Sequence, residues 1–378
     1  MVSAALVAAL VGYGSTIALV LAAAGAVGAT PAQTASWVLA ICLAKGVGSA
    51  GLSLFTRLPV VLAWSTPGAA LIAATTGLSI HQAVAAFVVA GVLIVLTAVL
   101  RPLGRAIAMI PDGIAAGMLA GVLLPFCLKG PAAAQTLGLL CLPMLAVFVL
   151  VRLRNPALAV LAALAAGVTT AYAIGPATLP GLTLPTPLLT FIPPTFGLDV
   201  IIGLALPLYL VTMASQNLPG FATLRAAGYE PPVRPALITT GALSALSGLF
   251  GAHTISMAAI TAAICLGDDV HPDRTKRWKV GLIYGAIWIA LGLLSPAILP
   301  LLKSLPPEIM TLLVALALLG PLMGALTGAY AAPPTRFAAT MTLAVTASGV
   351  AAFGIGAAFW GLTAGVTIHA LETLFRRL

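Results

Sequence analysis

The chain has 378 residues, of which 61% are apolar and 7% charged, and its mean hydropathy is +1.16. A soluble domain carries about 25% charged residues, so too few polar side chains remain here to cover a water-facing fold. The formal net charge of +9 does not point to nucleic acid, because Lys and Arg sit singly or in small groups between apolar runs, as cytoplasmic anchors do.

The runs themselves are continuous Ala/Leu/Val/Gly stretches, many longer than the ~20 residues that cross a bilayer. They predict helices, whose backbone groups are satisfied within one segment. β-barrel strands would show short alternating segments instead. Divided at charges, prolines and glycines, residues 1–175 predict spans beginning near 3, 33, 59, 80, 108, 135 and 156. Residues 196–378 predict spans beginning near 198, 235, 253, 279, 306, 335 and 354. That is an all-α polytopic membrane protein of fourteen segments. The N-terminus has no basic stretch before Ala4–Leu10, so it reads as a first span and not a cleaved signal.

With both termini in the cytoplasm, every basic residue except Lys129 and Lys303 falls on the cytoplasmic side, Lys45 and Arg57 among them. No basic residue is then expected deep in a span. Cys42, Cys127, Cys141 and Cys265 lie far apart, without metal-ligand spacing, and read as small core residues. No cofactor or metal is expected.

The two halves repeat weakly. Pro111-Asp112 and Pro307-Glu308 each open a span; Ala-Gly-Val-Thr occurs at 166–169 and 364–367; Ala69-Ala70-Leu71 returns as Ala258-Ala259-Ile260. Seven spans per half is an odd number, so the second half enters the membrane from the opposite side. Matching broken segments in two such halves point to a transporter binding site.

Two spans look broken. In the first, Val60-Val61-Leu62 suits an extended strand, and Ser65 or Thr66 can cap a helix at Pro67, whose missing N–H costs little in a first turn. In the second, His253-Thr254-Ile255-Ser256-Met257 precedes an apolar run, with Thr254 or Ser256 as the expected cap. Facing helix N-termini would offer positive ends and free N–H groups to an anion without a buried cation, with Trp64 and Tyr13 as aromatic surface. The bland reading of each break is a kink in a packed helix, and it weakens when two breaks fall at related positions. Tyr209, Thr212 and Gln216 near the end of the eighth span either line a cavity or join helices. Asp112 and Glu308 suit helix starts. His253 is the sharpest titratable candidate for moving a proton, although the substrate could also carry the proton as a neutral acid.

At these residues the sequence resembles the BenE family of benzoate/proton symporters. The likeness rests on Ala63–Leu71 (AWSTPGAAL), Leu206–Gly220 (LPLYLVTMASQNLPG), Ala226–Tyr229, Ala258–Cys265 (AAITAAIC), His271-Pro272-Asp273 with Arg277-Trp278, and Leu343–Leu362. The family is similar in fold to the uracil and sulfate permeases. The resemblance implies a 7+7 inverted repeat, short strands with half-helices in spans 3 and 10, a core of spans 1–4 and 8–11, and a gate of spans 5–7 and 12–14. It implies import of benzoate or a related aromatic carboxylate with protons into the bacterial cytoplasm, by an elevator-like movement across the inner membrane. Many relatives of the fold pair through their gate halves, which allows for a homodimer. Where the uracil permease pattern has an acid before the tenth half-helix, this chain has His253, which argues against nucleobase recognition.

The expected substrate-binding set is therefore Tyr13, Gly14, Trp64, Ser65, Thr66, Pro67, Gly68, Tyr209, Thr212, Gln216, His253, Thr254, Ile255, Ser256 and Met257, with His253 also the proton-coupling candidate. The competing expectations are an anion uniporter or channel of the sulfate-permease type and a membrane-embedded enzyme. The second lacks HExxH, GxSxG and paired intramembrane aspartates.

Overall fold

The computed structural model describes residues 1–100, 110–175, 177, 186–258, 260–267, 270–353 and 355–375. Arg101, Arg105, Asp268, Asp269, Arg376 and Arg377, part of the charge pattern above, lie outside them. The elements in chain order are α1 (Val2–Ala26), α2 (Pro31–Thr56), β1 (Leu62–Trp64), α3 (Thr66–Ala73), α4 (Ile80–Val99), α5 (Asp112–Thr136), α6 (Gly138–Arg154) and α7 (Ala159–Ala173). The second half holds α8 (Leu198–Ala226), α9 (Val233–Gly248), β2 (Ile255–Met257), α10 (Ile260–Leu266), α11 (Lys279–Leu293), α12 (Ser295–Lys303), α13 (Pro307–Ala331), α14 (Arg336–Ala347) and α15 (Ala357–Phe375).

Among the described residues, six of these helices are long and apolar enough to cross a bilayer, or seven if α11 and α12 form one span bent by 61°. Pro296 explains the bend, because proline removes a backbone donor from the ladder. The helix starts carry local signals. Thr30 with Gln33 and Ser79 with Gln82 form capping boxes at α2 and α4. The helix α8 contains π-turns at Ile201–Ala205 and Met213–Asn217, which shift the direction of its side chains midway.

Helix α2 packs on α11, α4 on α9, and α5 on α13. The inverted repeat predicted from the sequence would exchange α2 with α9 and α4 with α11, which makes the first two pairs images of each other. Glycines permit both. A Cβ on Gly46 would lie 2.7 Å from the Gly285 carbonyl oxygen, and one on Gly91 would lie 2.7 Å from that of Gly241. Helices α1–α4 and α8–α11 gather around the strands, while α5–α7 and α13–α15 pack among themselves beside them.

The strands are antiparallel, with Leu62 opposite Met257, Ala63 opposite Ser256 and Trp64 opposite Ile255. An extended segment inside a bilayer leaves backbone groups to be satisfied, and flanking serines do it. Ser49 Oγ accepts the Leu62 N–H at 2.9 Å, and Ser244 Oγ accepts the Ile255 N–H at 2.8 Å. Ser53 Oγ accepts from Val60 N and donates to Val60 O.

Three details correct the sequence reading. The first strand lies at Leu62–Trp64, two residues beyond Val60. Helix α3 starts at Thr66 with Ser65 as its cap. Among the described residues helix α10 begins at Ile260, and Thr254 and Ser256, the expected caps, bond within the strand network.

Candidate functional site

Ser65 follows β1 and caps α3, its Oγ accepting the Gly68 N–H at 3.1 Å. Its own N–H donates to Thr254 O at 2.9 Å. Thr212, on α8, donates to Ser65 Oγ at 3.0 Å and shares a hydrogen bond of 2.8 Å with Thr254 Oγ1. Asn217 Oδ1 accepts the Met257 N–H at 2.9 Å, and Ser256 Oγ donates to Ala63 O. The polar residues singled out at the breaks thus tie the strands, α3 and α8 into one buried unit.

That unit consumes most of the α3 amides expected to face an anion. Pro67 has no N–H, the Gly68 N–H is taken by Ser65 Oγ, and the Ala69 N–H by Ser65 O. The first turn of α3 keeps at most the Thr66 amide for a ligand. Across the strand pair, the Met257 N–H goes to Asn217 and the Ala258 N–H to Val61 O.

A cavity of about 760 Å³ opens between the two groups of helices. One wall carries Gly12, Ser15 and Thr16 of α1, Lys45 of α2, Trp64, Thr66 and Pro67, Ser215 and Gln216 of α8, and Thr261 of α10. The facing wall, from α5 and α13, is built of Asp112, Ala115, Ala116, Leu119, Ala317, Gly320, Gly324 and Gly328. One side is polar and aromatic; the other is small and apolar apart from Asp112 and Leu119.

Lys45 overturns the expectation that no cation lies deep in a span. It sits midway along α2, is 1% exposed, and points Nζ at the ring of Trp288, 3.2 Å from its centroid. The Trp64 and Tyr284 rings lie 4.8 and 5.6 Å from the same atom. Trp64 is fixed by its Nε1–H donating to Thr16 Oγ1 at 2.6 Å, Thr16 donating in turn to Gly12 O. Tyr284 donates to Leu62 O at 3.0 Å. Tyr13 completes the aromatic cluster at 6.1 Å from Trp64 and 5.9 Å from Trp288, its hydroxyl buried and without a hydrogen-bond partner among the described residues. Aromatic faces offer an ammonium about 0.5–2 kcal/mol, against a burial cost of several kcal/mol per ion. The rings alone do not offset that cost. The ion pair found among the described residues, Lys276 with Asp273, lies elsewhere. A charged Lys45 is therefore suited to an anion that enters the cavity.

Of the residues expected to bind substrate, Trp64, Thr66, Pro67 and Gln216 reach the cavity wall. Ser65, Thr212, Thr254, Ile255, Ser256 and Met257 lie behind it in the strand network. A Cβ on Gly68 would meet Leu208 and Ser65, and one on Gly14 would meet Leu161, so both serve helix packing. Tyr209 pairs its hydroxyl with Thr97. His253 is fully buried against Trp37 on α2, away from the wall. Gly12, Ser15, Thr16, Lys45, Asp112, Ser215 and Thr261, outside the expected binding set, also line the cavity. Among the described residues no His/Cys/Asp/Glu group could hold a metal.

The comparisons with known proteins agree over the whole chain. The family model described as BenE: Benzoate membrane transport protein matches residues 1–371. The inner membrane protein YdcO of Escherichia coli (strain K12) is 41% identical over 372 residues, covering 98% of this chain and 95% of that protein. The benzoate membrane transport protein of Acinetobacter baylyi (strain ATCC 33305 / BD413 / ADP1) is 32% identical over 367 residues, covering 97% and 93%. In fold, the chain is similar to the transmembrane domain of the cyanobacterial bicarbonate transporter BicA, with TM-score 0.61, 14% identity, and 97% and 96% of the two chains covered. It is also similar to SLC26A9, with TM-score 0.65, 14% identity, and 100% and 66% covered. The fold is that of the SLC26 and BicA transmembrane region, and the chain belongs to the BenE family of benzoate membrane transport proteins.

Proposed function

We propose that the chain imports benzoate or a related small aromatic carboxylate together with protons, across the bacterial inner membrane, by an elevator-like alternation of access. The observation that carries this reading is the cavity between the two helix groups, which joins an aromatic cluster to a buried lysine. A carboxylate on a flat apolar ring fits that pairing: the anion meets the cation and the ring meets Trp64. The volume falls within the roughly 300–1,000 Å³ of small-molecule sites. A relative is named a benzoate transporter and another an inner membrane protein, which supports both the substrate and the location.

In this reading, α1–α4 with α8–α12 form the moving core, α5–α7 with α13–α15 form the gate, and both termini lie in the cytoplasm. The smooth Ala/Gly wall of α5 and α13 suits a surface past which the core slides, and the gate suits pairing of two copies. The strand network behind the cavity would keep Trp64, Thr66 and Pro67 in register during the movement.

His253, whose place in the chain suggests a proton carrier, is set aside, because its ring is engaged with Trp37 behind the wall.

The test is uptake of labelled benzoate into proteoliposomes under an imposed pH gradient. Accumulation that follows an acidic exterior supports the reading; a correctly folded protein showing no gradient-dependent uptake overturns it. Saturable uptake indifferent to the pH gradient would instead make it an anion uniporter.

A further inference from the structure

We propose that Lys45 is the seat of the coupled proton as well as the counter-charge of the carboxylate. The inference rests on the aromatic-carboxylate reading above. Its basis is where the amine lies: on the cavity wall, in the middle of a spanning helix, with Trp288, Trp64 and Tyr284 around it.

A lone ammonium in such a place is costly, and so is a lone carboxylate. Each becomes tolerable when the other is present. Neutral Lys45 takes one proton from water on its nitrogen lone pair as the carboxylate enters, giving an ammonium–carboxylate pair of zero net charge. When the cavity opens to the other side, the carboxylate leaves and the ammonium returns its proton to water. One anion and one proton cross per cycle, with no charge left behind on the protein.

The groups around the amine leave this role to Lys45. Tyr13, on α1, packs on the Trp64 and Trp288 rings, Cys42 lies one turn before Lys45 on α2, Tyr284 faces the amine from α11, and Cys265 lies beside Tyr284 on α10. Phenols and thiols lose protons only above neutral pH even in water, so none brings a negative charge to Lys45. Asp112, on the facing wall, is the one carboxylate lining the cavity among the described residues, and it lies on the gate side. A Cβ on Gly12 would stand in van der Waals contact with Nζ, at 3.9 Å, so the glycine keeps that side of the amine clear.

Purified protein in detergent provides the test, with benzoate as the probe and a weak buffer to count protons. The wild type is expected to take up about one proton per benzoate bound. K45R keeps a cation that does not deprotonate, so it should bind benzoate with no proton uptake and, in proteoliposomes, respond to membrane potential and not to the pH gradient. K45M should bind benzoate at least about tenfold more weakly, as loss of a charge-assisted contact implies. Should K45R fail to fold, K45M, which fills nearly the same space, still decides. Proton-coupled uptake persisting in either variant overturns the proposal, as does a wild type that binds benzoate without taking up protons. A wild type that neither binds nor transports benzoate fails at the earlier step, and removes the carboxylate reading along with this one.

Discussion

The indole N–H of Trp37 donates to Nδ1 of His253 at 3.0 Å, joining α2 to the segment that leads into β2. Nδ1 is thus an acceptor and the ring proton sits on Nε2, an atom without a hydrogen-bond partner among the described residues. A second proton has no place on Nδ1 while that bond stands. This bond suits His253 to the role of a strut and leaves the proposed carrier role to Lys45. H253N keeps an acceptor oxygen for Trp37, and its uptake should retain the pH-gradient dependence of the wild type. W37F strands the acceptor and should cost about 1–3 kcal/mol, seen as a lower melting temperature in detergent. Loss of gradient dependence in a folded H253N would return the proton to this histidine.

The glycine contacts make a second prediction. Gly46 meets Gly285, and Gly91 meets Gly241, backbone to backbone. A methyl group at any of the four has to push two helices apart, and overpacking of this kind costs about 1–3 kcal/mol. G46A and G241A, which occupy repeat-related places, should lower the melting temperature by similar amounts. G51A is the control, since nothing lies within 4 Å of its Cβ; alanine there should be neutral or slightly stabilising. Equal melting temperatures for all three variants would mean that the helices are not held at this distance.

These contacts also show what the sequence makes legible. The two breaks can be read directly: Pro67 and Gly68 cannot continue a helix quietly, and His253 to Ser256 is polar where apolar residues belong. Strand β1 is displaced from its expected place because β-branched Val60 and Val61 look more extended than Leu62–Trp64, whereas the serines of α2 and α9 decide where the ladder forms. Lys45 defies its expected place because an isolated charge normally marks the end of a span. Helix length could have corrected this: from the cap at Thr30 to Lys45 is about 22 Å at 1.5 Å per residue, too short for a ~30 Å bilayer core. The run from Pro31 to Thr56 reaches across, and Arg57 is its true end. The cavity wall itself is not legible, because which face of α1, α8 or α13 looks inward depends on partners distant in sequence.

Outside the bilayer, the short turn from Asp273 to Lys276, ahead of α11, is held by Asp273. Its Oδ1 accepts the Thr275 N–H at 2.9 Å and the Thr275 hydroxyl at 2.6 Å, and Lys276 lies 3.3 Å from Oδ2. The Thr275 hydroxyl first, then its N–H, then Lys276, hold the carboxyl below its ordinary value of 3.8. A lowered folded-state value stabilises the turn above 3.8 and loses that contribution as pH falls through the folded value. Hydrogen exchange at the Thr275 amide should stay protected from neutral to mildly acidic pH. D273N, which retains an acceptor, should preserve most of that protection, and D273A should abolish it. Protection unchanged in D273A would remove Asp273 from the turn.

The smooth wall of α13 allows the cavity to be filled without touching the polar side. Gly320 and Gly324 both line it, and nothing lies within 4 Å of a Cβ at either place. A leucine at 324 therefore projects into empty volume and not into packed helix. G324L should fold with a melting temperature close to the wild type, because no neighbour has to move. Benzoate uptake should nevertheless fall by at least about tenfold, since a ligand would have to give up contacts worth more than about 1.4 kcal/mol to share the space. G324A should sit between the two, and G328L, where a Cβ already meets Ala116 at 3.2 Å, should lose stability as well as uptake. Unchanged uptake in a folded G324L would mean that the substrate does not pass through the space between Trp64 and α13.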